Sequence, residues 1–525
     1  MDILLINPDH KNRKNNTPWG VLALGSYLRK VEGVDVHLFD ASIEGADAAY
    51  QTLPDLMAQA RVIGIGAFSS DAPFIKRVAD MAKQLFPDKP LILGGPHANL
   101  YPEQSACYKN IDYVAYGDGE ATTAALLKAA AAGSIDPAKI PGLCYQQADG
   151  TVVRTPPQPI EPFFDIDYDL LDPRVRHYFG KYIQVLAGRG CPFRCTFCYV
   201  SPSAKSWQGR SIESLFEQLD ALIAQYDSKV VYFRDELFFH DKQRIRDFIR
   251  LYRERNYHFK WRASCRASDF GDNFITQEMV QDLAEVGCSC LKMGFESGSD
   301  TILKAIKKGI KVKNIQTAVT MLAKQPEIQI NCSFIMGFPQ ETPADYRATM
   351  QLINWIRKQA TNFYMVGPQY YRVYPGGALY EEVISQFDYQ IPPTLDAWSE
   401  RYLDPGNKDA FTDQSVDYPW VPVEMRPLAQ QASFLVALAC MEQQIGYMSR
   451  YKKRLLAPFV ALARLRLNMG WYGYLVDLKM ARGVVDFSIW AWADRSPLLN
   501  GLKKRAWFNA LRQTPLYRKF SALFT

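Results

Sequence analysis

Residues 1–144 alternate short runs of aliphatic and β-branched residues with stretches whose apolar positions recur every three or four residues. The runs are Ile3–Asn7, Val34–Phe39, Val62–Ala67, Leu91–Gly94 and Tyr113–Ala115; the helical stretches are Leu22–Lys30, Phe74–Leu85 and Ala121–Ala132. A short continuous apolar run is the mark of a strand buried on both faces. Strands alternating with helices therefore predict an α/β domain built on a doubly wound parallel sheet. Loop-forming residues follow the strand ends, at Asn7-Pro8, Asp40-Ala41, Ser69-Ser70, Gly94-Gly95-Pro96 and Gly117-Asp118-Gly119. Ligands of such sheets sit beyond the carboxyl ends of the strands, so these loops form a candidate binding edge.

Residues 145–182 are irregular and rich in Pro, Asp and aromatics, which predicts a linker. The alternation resumes at Ile183. Strands are predicted at Ile183–Ala187, Lys229–Phe233, His258–Ser264, Cys290–Phe295, Gln329–Met336 and Phe363–Gln369. Helices are predicted over Ser211–Tyr226, Lys242–Arg255, Gln277–Glu285, Asp300–Lys307, Val312–Lys324 and Pro343–Gln359. Six βα units over 183–385 fit a partial barrel better than a closed eightfold one. Residues 386–525 read as a helical C-terminal region. A chain of 525 residues is too long for one core, which agrees with this division.

Composition changes the picture in one place. Hydrophobic residues make up 48% and charged residues 22%, the range of a globular protein, and the net charge is +6. From Arg426 to Thr525, however, 16 Lys/Arg face 4 Asp/Glu, a net of +12 that leaves −6 for the rest. This tail interleaves its cations with Trp471, Tyr472, Trp490, Trp492, Trp507 and Phe508, and its densest basic clusters are Lys452-Lys453-Arg454 and Lys503-Lys504-Arg505. Two readings stand open: a peripheral contact with an anionic membrane, or a helical cap packed on the barrel. No nucleic-acid-binding module accompanies the charge, and nucleic acid is not an expected partner. The start, MDILLINPDH, lacks the basic and small-residue pattern of a signal peptide. No apolar stretch reaches the roughly 18–20 residues of a spanning helix. The expected compartment is a reducing cytoplasm, with membrane association if the tail makes that contact.

The chemistry concentrates in Gly190-Cys191-Pro192-Phe193-Arg194-Cys195-Thr196-Phe197-Cys198-Tyr199, directly after a predicted strand. Three thiolates at this spacing wrap one loop around one face of a cubane 4Fe–4S cluster and leave the fourth iron without a protein ligand. A structural zinc ion wants four donors. No fourth Cys or His lies nearby, His177 and His240 being the nearest histidines. The other seven cysteines (Cys107, Cys144, Cys265, Cys288, Cys290, Cys332, Cys440) read as small core residues.

The cysteine run resembles the signature of the radical S-adenosylmethionine superfamily, including the aromatic Phe197 before the third cysteine. Gly294-Phe295-Glu296-Ser297-Gly298-Ser299-Asp300 with Lys308-Gly309 is similar to that superfamily's fourth-strand segment. Phe334–Thr342 is similar to the fifth, and Tyr374-Pro375-Gly376-Gly377 to the turn after the sixth. The N-terminal loops, with Phe39-Asp40-Ala41, His97-Ala98 and Tyr116–Glu120, resemble the cobalamin-binding domain fused to the superfamily's class B, methyltransferase-like branch. The Asp-x-His-x-x-Gly motif that supplies a cobalt ligand elsewhere is missing, and the N-terminal histidines are only His10, His37 and His97.

The resemblance implies a 4Fe–4S cluster on Cys191, Cys195 and Cys198, with S-adenosylmethionine chelated to its open iron and cobalamin on the N-terminal edge. Phe197 and Tyr199 either face the adenine or pack in the core. Glu296, with Ser297 beside it, is placed to accept from a ribose hydroxyl. Asp235 and Glu236 either take the amino group of S-adenosylmethionine or cap a turn. Arg262 and Arg266 pair with a carboxylate of S-adenosylmethionine or substrate, or form structural ion pairs. Asn7, Pro8, Asp40, Gly94, Gly95, Pro96, Gly117, Gly119 and Glu120 fall on the cobalamin edge, with Ser69, Ser70 and Asp71 toward the lower face of the corrin. The same glycines also serve a tight turn without any ligand. His97 reads as a loop histidine, and no residue is assigned acid–base catalysis.

The expected reaction is methylation of an unactivated carbon on a small-molecule or lipid-like substrate, with electrons from an external donor such as flavodoxin or ferredoxin. Tyr370, Tyr371 and Tyr374 either line the substrate pocket or pack in the core. Two alternatives remain: non-methylating cobalamin-dependent radical chemistry (oxidative cyclisation or rearrangement), and a non-catalytic iron–sulfur or zinc sensor or scaffold.

Overall fold

In β1 (Ile3–Asn7), Ile3 and Leu5 join one apolar core while Leu4 and Ile6 join another, because successive residues of a strand face opposite ways. The first sheet is built around that strand. The computed structural model describes residues 1–9, 17–158, 164–198, 207–373, 377–403, 418–441, 450–473 and 476–486. β2 (Val36–Asp40), β3 (Val62–Gly66), β4 (Leu91–Gly94) and β5 (Tyr113–Ala115) lie parallel with β1 in the order β2-β1-β3-β4-β5. Helices Trp19–Lys30 and Glu120–Ala131 cover one face. Helices Ala46–Gln59 and Ala72–Leu85 cover the other. The strand order reverses between β1 and β3, so the crevice expected to take a ligand opens beside Asn7 and the turn after Gly66.

Two elements depart from the sequence reading. β6 (Leu143–Gln146) and β7 (Val152–Arg154) form an antiparallel hairpin on the sheet edge, reaching into the stretch expected to be a linker. Its turn was legible: Asp149-Gly150 sits between two β-prone runs, and Gly150 adopts φ 88°. Helix Ala46–Gln59 was missed because Pro54 lies inside it.

The second sheet is six parallel strands in sequential order: β8 (Ile183–Val185), β11 (Val230–Phe233), β12 (Lys260–Cys265), β13 (Cys288–Glu296), β14 (Gln329–Met336) and β15 (Phe363–Tyr370). This is the partial barrel. Between β8 and β11 a two-residue ribbon pairs β9 (Gly188–Arg189) with β10 (Gln208–Gly209). Cys265, Cys288 and Cys332 are core residues of the barrel strands, and burial drives their thiols well up from the usual range.

The C-terminal helices pack on the barrel and on each other. Helix Arg426–Ala439 lies against β15, and helix Arg450–Met469 lies against both Arg426–Ala439 and Pro343–Gln359. Arg466 is buried; it pairs with Asp477 at 2.7 Å and lies 4.0 Å from the centroid of the Trp471 ring. So part of the tail's basic charge is consumed internally. Trp490, Trp492, Trp507, Phe508, Lys503, Lys504 and Arg505 lie outside the described residues, as do His10 and the side chains of Lys452 and Lys453. Among the described residues no helix is long and apolar enough to cross a membrane.

Candidate functional site

The cluster loop starts two residues after β9 and is fastened on three sides. The Thr196 N–H donates to Ile306 O at 3.0 Å, and the Leu379 N–H donates to Thr196 O at 3.2 Å. Gly377 packs so closely on the loop that a Cβ there would come 2.2 Å from Thr196 O. Arg266 stacks on Phe193, with its Cζ 3.5 Å from the ring centroid, and its Nη2 donates to Lys308 O. Burial pushes the Cys191 thiol up; the Phe193 N–H and Arg266 pull it down, and Cys195 and Glu236 push it further up. Cys191, Cys195, Arg266 and Glu236 are therefore electrostatic neighbours. Among the described residues no three Cys, His, Asp or Glu side chains converge on one point as a single metal ion requires. A cubane offers each thiolate its own iron, so the donor set fits a cluster better than zinc.

The two acids after β11 separate. Asp235 is buried, and its Oδ1 accepts from the Ala187 N–H at 2.8 Å. Burial pushes its carboxyl up to about 7, against the pull of the Ala187 and Gly188 N–H groups and Arg244. Through Oδ1 it braces the strand end that leads into the cluster loop, while among the described residues its buried Oδ2 has no hydrogen-bond partner. Glu236 is exposed, and its charge contributes to raising the Cys191 thiol.

Glu296 ends β13 where the register with β14 slips, and its φ of 64° belongs to a backbone region that costs a non-glycine residue energy. Its Oε1 accepts from Lys308 Nζ at 2.8 Å and its Oε2 from the partly buried Ser333 Oγ at 3.3 Å, with Glu296 and Lys308 both nearly buried. Lys308 also lies 5.7 Å from the Phe197 ring centroid. Lys308 as the partner of Glu296 was missed; the Lys-Gly pair was visible in the sequence, but not that it folds back. Ser297 is corrected: it is fully buried, its Oγ lies 3.2 Å from Thr349 Oγ1 and accepts from the Ser299 N–H, so it shapes the turn. Phe197 meets Phe338 edge-on at 5.7 Å. Tyr370 and Tyr371 are buried among Tyr418, Trp420 and Phe338, as core. Tyr199 and Tyr374 lie outside the described residues.

On the first sheet, Asp40 Oδ1 accepts from Asn7 Nδ2 at 2.8 Å and from both the N–H and the hydroxyl of Ser42, while its buried Oδ2 has no partner among the described residues. Pro8 follows at the same edge. The glycines divide. A Cβ on Gly119 would meet nothing within 4 Å, and one on Gly94 only Ile65 O at 4.0 Å, so both leave room for a ligand. A Cβ on Gly95 would come 2.7 Å from Ala67 N, and one on Gly117 would press on Pro157 at 3.4 Å. Gly95 therefore serves the turn's own packing before any ligand, with Pro96 starting the next short helix. The Ser69–Asp71 turn is a single 3-10 turn: Ser70 lies partly buried in it, and Ser69 Oγ sits 2.9 Å from His97 Nδ1. His97 is not in a loop. It is fully buried against Tyr101 and Trp398, and desolvation lowers its pKa to about 4, so it is neutral. Room at Gly94 and Gly119 and the unpaired Asp40 oxygen fit a polar ligand at this edge.

Glu120 joins the two sheets. It is 3% exposed, and its Oε1 lies 3.1 Å from Nη1 of Arg189, two residues before Cys191. Its Oε2 is buried without a partner, and burial raises its pKa. It is an inter-domain brace, where the sequence reading had placed it against the cofactor alone.

The radical S-adenosylmethionine superfamily model matches residues 185–353, and the B12-binding domain model matches residues 13–127. An uncharacterized methyltransferase of Pyrococcus horikoshii is 30% identical over 73% of this chain and 83% of its own length. The chain belongs to the cobalamin-binding radical S-adenosylmethionine methyltransferase family. Two solved structures share the fold of this radical S-adenosylmethionine enzyme. The cobalamin-dependent radical enzyme OxsB with aqua-cobalamin bound has a TM-score of 0.68 at 16% identity, over 92% of this chain and 75% of OxsB. The methyltransferase TsrM of Kitasatospora setae, with tryptophan and an S-adenosylmethionine analogue bound, has a TM-score of 0.60 at 19% identity, over 74% of this chain and 76% of TsrM. The cofactors of this enzyme are a 4Fe–4S cluster, S-adenosylmethionine and cobalamin.

Proposed function

We propose that this enzyme methylates an unactivated carbon of a small-molecule or lipid-like acceptor. The observation that supports the reading most is the joining of a radical-generating loop and a cobalamin edge by one partly buried ion pair, Arg189–Glu120. A heteroatom or an electron-rich aromatic carbon needs no hydrogen-atom abstraction, whereas a saturated, unactivated carbon does, so the two devices are needed together on such a carbon. When bound, the cluster and S-adenosylmethionine supply a hydrogen-abstracting radical and cobalamin carries the methyl group. The chain's own residues position and shield. Cys191, Cys195 and Cys198 hold three irons, and Glu236 takes the amino group of S-adenosylmethionine. Arg266 holds the loop by its stack on Phe193. Glu296, charge-balanced by Lys308, presents an acceptor to the ribose, and Phe197 borders the adenine. Asn7, Asp40, Gly94 and Gly119 form the cobalamin edge. Reducing equivalents come from an external one-electron donor.

The test is anaerobic turnover with S-adenosylmethionine deuterated on its methyl group, a reductant and fractionated small-molecule and lipid extracts. The fraction that stimulates 5′-deoxyadenosine release is expected to release S-adenosylhomocysteine equally and to carry the label on carbon. Stimulated 5′-deoxyadenosine without S-adenosylhomocysteine would replace methylation by cyclisation or rearrangement chemistry.

A further inference from the structure

Residues 304–313 (Lys-Ala-Ile-Lys-Lys-Gly-Ile-Lys-Val-Lys) carry five lysines and no carboxylate. Only Lys308 turns inward, onto Glu296. Lys304, Lys307, Lys311 and Lys313 are exposed, and among the described residues none of them forms an ion pair. Several exposed cations elsewhere are matched, such as Arg250 with Asp247 and Glu254, Arg253 with Asp282 and Glu285, and Arg174 with Glu44 and Asp172. Unmatched like charges crowd one segment here, although a mixed surface would be less costly.

That segment is also the one bonded to the cluster loop. Ile306 O accepts from the Thr196 N–H, and Lys308 O accepts from Arg266, which stacks on Phe193. A Cβ on Gly309 would come 3.3 Å from Arg266 Nη2 and 4.0 Å from Phe193. Arg194, exposed on the loop itself, extends the basic face.

We propose that Arg194, Lys304, Lys307, Lys311 and Lys313 form the docking surface for an acidic one-electron carrier protein that reduces the cluster. In the step the reduced carrier loses one electron and the cluster gains it; no bond forms or breaks, and no proton has to move. An electron carrier must approach the cluster, and this basic face is bonded directly to the loop that holds it. Complementary charge raises the encounter rate by roughly 10- to 1000-fold, and salt screens it over about 8 Å at physiological strength. The proposal rests on Cys191, Cys195 and Cys198 holding the cluster.

The experiment drives S-adenosylmethionine cleavage in the reconstituted enzyme with dithionite and, in parallel, with reduced flavodoxin. It compares wild type with a Lys304→Gln/Lys307→Gln/Lys311→Gln variant and the matching Glu variant. The flavodoxin concentration for half-maximal rate is expected to rise on the order of tenfold in the Gln variant and further in the Glu variant. The salt dependence of the flavodoxin rate should flatten, and the dithionite rate should not change. An unchanged flavodoxin requirement in the Glu variant would overturn the surface, and so would equal loss with both reductants, which would assign the lysines to the fold. Wild type that fails with dithionite as well would overturn the cluster reading beneath it.

Discussion

A Cys191→Ala/Cys195→Ala/Cys198→Ala variant is expected to fold, to bind cobalamin, and to lose its iron and all cleavage of S-adenosylmethionine. The loop is held by backbone and arginine contacts that include Thr196 N–H to Ile306 O, Leu379 N–H to Thr196 O, Cys198 N–H to Cys195 O, and Arg266 on Phe193. None of them uses a thiol. Trimming the sulfurs costs about 1 kcal/mol each at the half-buried Cys191 and Cys198 and roughly 1–2 kcal/mol at the buried Cys195, inside the stability of a domain. The cobalamin edge draws its residues from the other sheet, so cobalt should stay. Iron and sulfide content, bound cobalt and 5′-deoxyadenosine yield measured on one preparation check all of this. Iron retained at the wild-type level would remove the three cysteines from the cluster.

The second large effect is on stability. Lys308→Met leaves the Glu296 carboxylate nearly buried with only Ser333 donating to it. Removing one partner of a buried pair costs roughly 3–5 kcal/mol, because the remaining charge has no compensation. Glu296→Gln should cost a similar amount, since it strands the lysine. The double variant Lys308→Met/Glu296→Gln should recover most of the loss, since no charge is left to desolvate. Denaturant unfolding of the four proteins measures the coupling. Additive losses in the double variant would mean that the pair is solvated and energetically idle. Glu296→Gln should also weaken S-adenosylmethionine binding beyond its effect on folding, which titration at a temperature where all four are folded would resolve.

Strands with continuous apolar runs were legible because burial on both faces demands that pattern: Ile3–Asn7 and Leu91–Gly94 match the structure to the residue. The barrel strands were legible by alternation instead, since β12 and β14 bury every second residue. What escaped depended on tertiary neighbours. Helix Ala46–Gln59 contains Pro54 and forms because Ala49, Leu53 and Met57 are buried against the sheet. His97 reads as a loop residue until Trp398, some three hundred positions away, covers it. Glu120 looked like a ligand-facing acid because its partner, Arg189, belongs to another domain. Asp235 and Glu236 are adjacent and chemically alike, and only the fold turns one inward and leaves the other exposed. The cysteine spacing, by contrast, carried its chemistry in the sequence alone, since a loop of three thiolates is a local device.

Anaerobic reconstitution with iron, sulfide and hydroxocobalamin, followed by measurement of iron, zinc and cobalt per chain, tests the central claim most directly. The account predicts about four irons and about one cobalt per chain, with zinc absent. Zinc in place of iron, or iron without cobalt, would contradict it.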